Sequence, residues 1–274
     1  MFTMKFRKSA ALAATVLTLS LTATACGSGD DDGKIKIGIK YDQPGLGLKT
    51  PDGDFKGFDV DVATYVAKEL GYKESDIEWV KAPTPERENM LSRGDVKFIA
   101  ASYSITPERK EKVSFAGPYF LAHQDLLVRK DDDSFKDVKV LNDKKLCSVT
   151  GSTSAQNVQK KFAPKADLQQ YPGYSQCLTG LENEAVDALT TDDSILAGYA
   201  AQKEHQGKFK LAGLNLSNEN YGIGIKKGDK KLQADINKAL EKMVKEGAWD
   251  KAVKDNFGPA EYKYEPAPKI TENS

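Results

Sequence analysis

The stretch that most limits what this chain can fold into runs from residue 34 to residue 101. Three short apolar segments, KIKIGIK (34–40), DIEWVKA (76–82) and VKFIAA (96–101), are separated by two segments of helical pattern. The first alternates polar and apolar residues, the period of a strand. In FDVDVATYVAKELGY (58–72), Phe58, Val62, Val66 and Leu70 recur every four residues with Ala63 and Ala67 beside them, which is the stripe of an amphipathic helix. Asp59 and Asp61 fall in its first turn, where carboxylates suit the positive end of the helix dipole, and that role leaves no reason to read them as metal ligands. Gly71 is a stop signal. TPERENMLSRGD (84–95) reads as a short helix closed by Gly94. Strand–helix–strand–helix–strand is the pattern of an α/β unit with a mainly parallel sheet. In such sheets ligands bind beyond the carboxyl ends of the strands. That rule puts Lys40, at the end of the first strand, and Ser102 to Arg109, beyond the third, on one binding edge.

A second unit of the same kind starts near LAHQDLLVRKDDD (121–133). KKLCSVTGSTSAQNVQKKF (144–162) reads as strand, Gly/Ser/Thr turn and helix, and residues 166–202 as strand, helix, strand, loop and helix. Residues 209–229 hold a strand with two glycines. Leu232, Ile236, Leu240, Met243, Val244 and Trp249 then follow helical spacing. The closing PAEYKYEPAPKITENS (259–274) is polar and Pro-rich and is expected to fray.

Charge and chemistry exclude several classes. With 40 Lys plus Arg against 40 Asp plus Glu, there is no basic footprint for nucleic acid. His123 and His205 are the two histidines, and no CxxC or His/Cys metal spacing occurs, so neither a zinc site nor a His-based triad is expected. No metal, nucleotide or cofactor motif is present. Residues 1–10 carry Lys5, Arg7 and Lys8, and residues 11–25 are uncharged and rich in Ala and Thr. A positive flank, a short apolar run and small residues at its end read as a secretory signal over 1–25. The run is shorter than the about 20 apolar residues of a membrane span.

Cys26, followed by GSGDDDG, resembles a bacterial lipoprotein box. Ala23 stands where Leu is usual, and Leu21 lies two places earlier. The resemblance implies a lipid on Cys26, a linker over 26–33 and a protein held at the outer face of the cell membrane; a plain secreted protein is the alternative. The remaining Cys147 and Cys177 are an even pair in an exported chain, which suggests a disulfide. It would close a loop of about 30 residues worth about 3 kcal/mol. Two separate buried thiols are the alternative.

Three blocks carry a further resemblance: GFDVDVATYVAKEL, GDVKFIAASYSITPERKEKVSFAGPYF, and YGIGIKKGDKKLQADINKALEKMVKEGAWDKAVKDNFG. Together, in order over about residues 34–258, they resemble the bacterial extracellular solute-binding proteins that serve ABC importers of polar amino acids, family 3. Within it they are nearest to glutamate-binding lipoproteins of Gram-positive bacteria. The resemblance implies a two-lobed α/β fold, periplasmic-binding-protein-like of type II, with two hinge crossings near 126–130 and 219–225. One lobe would hold 34–126 plus 222–268, the other 130–218, with 269–274 a flexible tail. Ligand would bind between the lobes, which close by a hinge motion.

The resemblance also implies roles. Arg109 would grip the ligand's α-carboxylate, since a planar guanidinium gives two parallel hydrogen bonds where lysine cannot. Ser104 would add hydroxyl and backbone groups, and the Ser102 carbonyl would accept from the α-ammonium. Gly151 and Thr153 would complete the carboxylate cage from the start of the next helix, a natural anion site; Ser152 stands where the family has Thr. Asp192 would accept from the ammonium, with Asp193 its rival and a helix-cap role the plain alternative. Lys40, Arg87 and Tyr174 would read the side chain, and two cations with a hydroxyl suit an acidic ligand, glutamate before aspartate; ordinary solvated charge is the alternative for Lys40 and Arg87. The implied protein is a monomer without catalysis or cofactor, whose partners are a free amino acid and permease subunits driven by a cytoplasmic ATPase. The alternatives are binding of glutamine or another polar amino acid, and a ligand-sensing lipoprotein uncoupled from transport.

Overall fold

The computed structural model describes residues 33–273. The expected signal peptide and Cys26 lie outside the described residues. The first α/β run folds as read: strand β1 (Ile35–Ile39), helix α1 (Phe58–Glu69), strand β2 (Ile77–Lys81), helix α2 (Arg87–Arg93) and strand β3 (Phe98–Ile99). β1 lies between β2 and β3 and is parallel to both. A small antiparallel hairpin, Asp42–Gln43 with Gly47–Lys49, follows β1.

Helix α3 (Pro107–Lys112) leads into a strand of 17 residues, β4 (Val113–Arg129). The second run comprises β5 (Lys145–Val149), α4 (Thr153–Asn157), β6 (Asp167–Tyr171), α5 (Tyr174–Glu182), β7 (Ala188–Asp192), α6 (Asp193–Ala200) and β8 (Phe209–Leu211). Strand β9 (Asn218–Lys226) and helices α7 (Lys230–Lys245) and α8 (Ala248–Phe257) complete the element order. The sheet runs β2-β1-β3-β9-β4-β7-β5-β6, with β8 also on β4. The two halves share β4. Its residues 113–123 pair with β9, and 124–128 pair antiparallel with β7.

A Gly117–Pro118 pair interrupts β4 in sequence, yet the strand continues. The register against β9 shifts between Tyr221 and Ile223, the irregularity expected where proline cannot donate to the ladder. Aromatic residues fill the core of the first half. Phe58 lies 5.1 Å from Phe120 and 5.7 Å from Phe257 between ring centroids, and Trp249 Nε1 donates to the Tyr119 carbonyl at 2.8 Å. In the second half Cys147 on β5 and Cys177 on α5 form a disulfide, fastening the helix to the sheet.

Asp59, in the first turn of α1 as expected, has a further role: it is fully buried, and its carboxylate accepts from the Ser102 amide at 2.8 Å and the Tyr119 hydroxyl at 2.7 Å. Burial pushes its pKa up to about 6 despite those donors. One expectation is corrected: the closing segment is tied down rather than free. The Thr271 and Glu272 amides donate to the Gly117 carbonyl at 3.0 Å, and the Gln233 and Asn237 side chains donate to the Glu272 carbonyl. Lys110 pairs with the Glu272 carboxylate at 2.8 Å. Tyr262, Tyr264, Ala267 and Ile270 pack against the core. A polar, Pro-rich composition hides this, because the anchors are spaced side chains and backbone groups without a period.

Candidate functional site

A small cleft lies between the two halves. Its first-half wall comes from the loops beyond β1, β2 and β3. Its second-half wall comes from the turn after β5 and the starts of α5 and α6, where carboxyl strand ends are expected to place a ligand. Gln43, Thr84, Arg87, Ser102, Ser104 and Arg109 face Ser152, Thr153, Tyr174, Asp192 and Ile195.

Arg109 owes its position to a capped turn. Thr106 accepts from the Arg109 amide at 3.2 Å as N-cap of α3, with Pro107 at the first helical position. The guanidinium donates to the Ser104 carbonyl at 2.8 Å and, across the cavity, to the Gly151 carbonyl at 3.4 Å. Glu88 lies 3.6 Å from its Nε. Ser102 adopts a left-handed backbone, φ 44°, in the tight turn after β3. Its hydroxyl donates to Gln43 Oε1 at 2.9 Å.

Arg87 is buried beside this turn. It donates to the Ala101 carbonyl at 2.8 Å and stacks 4.2 Å from the centroid of Tyr103. Among the described residues it has no carboxylate within salt-bridge distance. Burial, and then the neighbouring Arg109, bring its pKa down to about 10. Lys40 is also buried, and its ammonium donates to Thr84 Oγ1 at 3.0 Å. Burial, then Arg87, lowers its pKa to about 7. The solvated-charge reading of both cations therefore fails. Lys40 does not line the cavity itself but stands behind Thr84.

From the other side comes Asp192, 4% exposed. Its Oδ2 accepts from the Tyr221 hydroxyl at 2.6 Å, while Oδ1 is buried without a protein partner. It occupies the N-cap position of α6 but makes no side-chain cap bond, so capping does not explain it. Burial, Glu219 and Asp193 push its pKa well above the usual carboxylate range. Asp193, the rival, is engaged elsewhere. It accepts from the His123 amide at 3.0 Å, the Ser194 amide at 2.8 Å and the Tyr262 hydroxyl at 2.8 Å.

The structure thus gathers Arg109, Ser102, Ser104, Arg87, Thr153, Tyr174 and Asp192 around one space, with Gly151 and Lys40 just behind it. Thr153 lines the cleft, and its hydroxyl donates to Glu219 Oε2 at 3.1 Å. Gln43, Thr84, Tyr221 and Glu219 are additions that the sequence reading leaves out. Gln43 and Thr84 sit in turns rich in Pro and Gly, where no period marks direction. Gln43 is buried with its Nε2 unpartnered. Chemically, the walls hold the buried Arg87 and the half-buried Arg109 on one side and the buried Asp192 carboxylate on the other, a match for a small molecule carrying both signs of charge.

Comparison with known proteins agrees with this chemistry. Residues 35–259 match the sequence profile of the bacterial extracellular solute-binding proteins, family 3. The glutamate-binding protein GluB of Corynebacterium efficiens is 47% identical over 236 residues, covering 82% of this chain and 79% of that protein. The glutamine-binding protein GlnH of Bacillus subtilis is 39% identical, covering 81% and 80%. Among solved structures, an ancestral arginine-binding protein bound to arginine superposes with a TM-score of 0.76 at 36% identity, covering 82% of this chain and 99% of that one.

Proposed function

Since the chain belongs to the bacterial extracellular solute-binding proteins of family 3, we propose that it captures an acidic amino acid, glutamate foremost, between its lobes and delivers it to an ABC importer. The observation that carries this reading is the buried Arg87, with Lys40 behind it on Thr84, neither within salt-bridge distance of a carboxylate among the described residues, facing the unpartnered Oδ1 of Asp192. Arg109 takes the α-carboxylate in bidentate fashion, helped by the loop at Ser104 and the Gly151–Thr153 turn. The ammonium goes to Asp192 Oδ1 and the Ser102 carbonyl. The distal carboxylate neutralises Arg87 and, through Thr84, Lys40, with the Tyr174 hydroxyl completing its shell.

Two further parts of the reading rest on sequence. A lipid on Cys26 holds the protein at the outer face of the membrane, and the closed lobes present a surface to permease subunits whose ATPase supplies the energy. The glutamate-binding name of the 47% identical relative supports the ligand class.

A neutral amide leaves the distal cations unpaired. Such a loss costs about 2–5 kcal/mol, or tens- to thousands-fold in affinity. The test is calorimetric titration of the full chain, stripped of carried-over ligand by unfolding and refolding, with glutamate, aspartate, glutamine, asparagine, arginine and histidine. Heat from glutamate or aspartate at much lower concentration than from glutamine is expected. A preference for glutamine or arginine would remove Lys40 and Arg87 from the side-chain role and leave the Arg109–Asp192 clamp.

A further inference from the structure

Gly198 is the sixth residue of α6, and a glycine inside a helix is a poor choice for the helix itself. Its backbone is not the reason, because it is not among the glycines with positive φ. Space is the reason. A Cβ at Gly198 would lie 2.0 Å from the carbonyl oxygen of Pro44, which belongs to the turn after β1 in the other half. The same turn meets a second glycine. Gly173, just before α5, has the extended backbone open to any residue, φ −145°, yet a Cβ there would lie 2.6 Å from Asp42 Oδ2. Between these two contacts, the Tyr199 hydroxyl donates to the Asp42 carbonyl.

Three residues of the second half thus seat one turn of the first, Asp42 to Pro44. The turn and its seat both continue into the cavity. Gln43, in the middle of the turn, lines it, and α6 begins directly after Asp192. Neither glycine nor Tyr199 lines the cavity.

We propose that Gly173, Gly198 and Tyr199 form a latch for the Asp42–Pro44 turn that engages when the lobes close on a ligand, so that these residues set affinity without touching it. The proposal rests on the reading above that the chain closes around an amino acid. A side chain on Gly198 keeps the lobes from their last approach because what it meets is backbone, whereas at Gly173 the Asp42 carboxylate opposite has to turn aside. The ligand-free open form, in which the turn and α6 are apart, is not disturbed by it. Alanine is a better helix former than glycine, so Gly198→Ala leaves that form intact or firmer.

The test compares the full-length wild type with Gly198→Ala and Tyr199→Phe, by calorimetric titration with glutamate and by melting without ligand. Gly198→Ala is expected to weaken glutamate binding at least tenfold while the ligand-free melting temperature holds or rises. Tyr199→Phe, which adds no bulk, is expected to weaken binding about three- to tenfold, the range for one lost hydrogen bond. Wild-type affinity in both variants overturns the latch. So does a ligand-free melting temperature lowered by more than about 5 °C in Gly198→Ala, a drop of more than 1 kcal/mol for a chain this size, because the contact would then be permanent packing. The two readings fail separately. A wild type that gives no heat with any of the six amino acids overturns the binding reading and the latch with it. A wild type that binds, beside variants that bind as tightly, overturns the latch alone.

Discussion

Asp192 holds one carboxylate oxygen on Tyr221 and leaves the other buried without a protein partner. Its pKa is raised by burial and by Glu219 and Asp193, so the folded protein binds its proton more tightly than the unfolded chain does. Stability is therefore lost as pH rises above the unfolded carboxylate value near 3.8. An Asp192→Asn chain should melt about 2–4 °C higher near pH 7.5, roughly 1 kcal/mol, while losing about 30- to 1,000-fold in affinity for glutamate. Equal affinity would remove the ammonium from this residue. Lys40 gives a second prediction of opposite character. Its pKa of about 7 comes from burial and then Arg87, and a ligand carboxylate beside it would raise that value. Binding then takes up a proton above pH 7, and affinity should fall between pH 7 and 9 by up to tenfold per unit. Titration in two buffers of different ionisation heat reads that proton directly; a flat profile would show that Lys40 does not feel the ligand. Arg109 and Asp192 both line the cleft, and in the sequence it is the family resemblance, not a period of their own, that singles them out. Gln43 and Thr84 were not legible there, since only the meeting of two loops turns them inward.

At the scale of elements, α1 and α7 were readable because apolar residues recur at helical spacing over several turns. β1 was readable from its alternation. β4 was harder: Gly117–Pro118 looks like a break, and only the pairing with β9 on one side and β7 on the other lets the strand run through it. The disulfide was legible as a count and a compartment, and the fold supplies the proximity of β5 and α5. Closing a loop of this length is worth about 3–4 kcal/mol in the chain-entropy account. Replacing both cysteines by serine should lower the melting temperature by roughly 6–15 °C at about 2–4 °C per kcal/mol. An unchanged melting curve would mean that the packing of α5 against β5 carries the second half unaided.

For the molecule as a whole, two α/β units were visible in the sequence, but their sharing of β4 was not, because nothing in a strand's alternation tells which neighbour it will meet. The cavity lies where the two units face each other, so ligand joins surfaces that the chain connects only through β4 and β9. A ligand present at 100 times its dissociation constant should add about 2.7 kcal/mol, hence roughly 5–11 °C of melting temperature for glutamate. No shift at saturating glutamate would sink the ligand assignment even if the fold is unchanged. The two crossings have a mechanical consequence as well. β1, near the start of the described chain, and the closing segment anchored on Gly117 both belong to the half built on β3 and β9. A pull along that segment is therefore taken up first by this half, and among the described residues it reaches the other through a single tether of the segment, the Tyr262 hydroxyl on the Asp193 carboxylate.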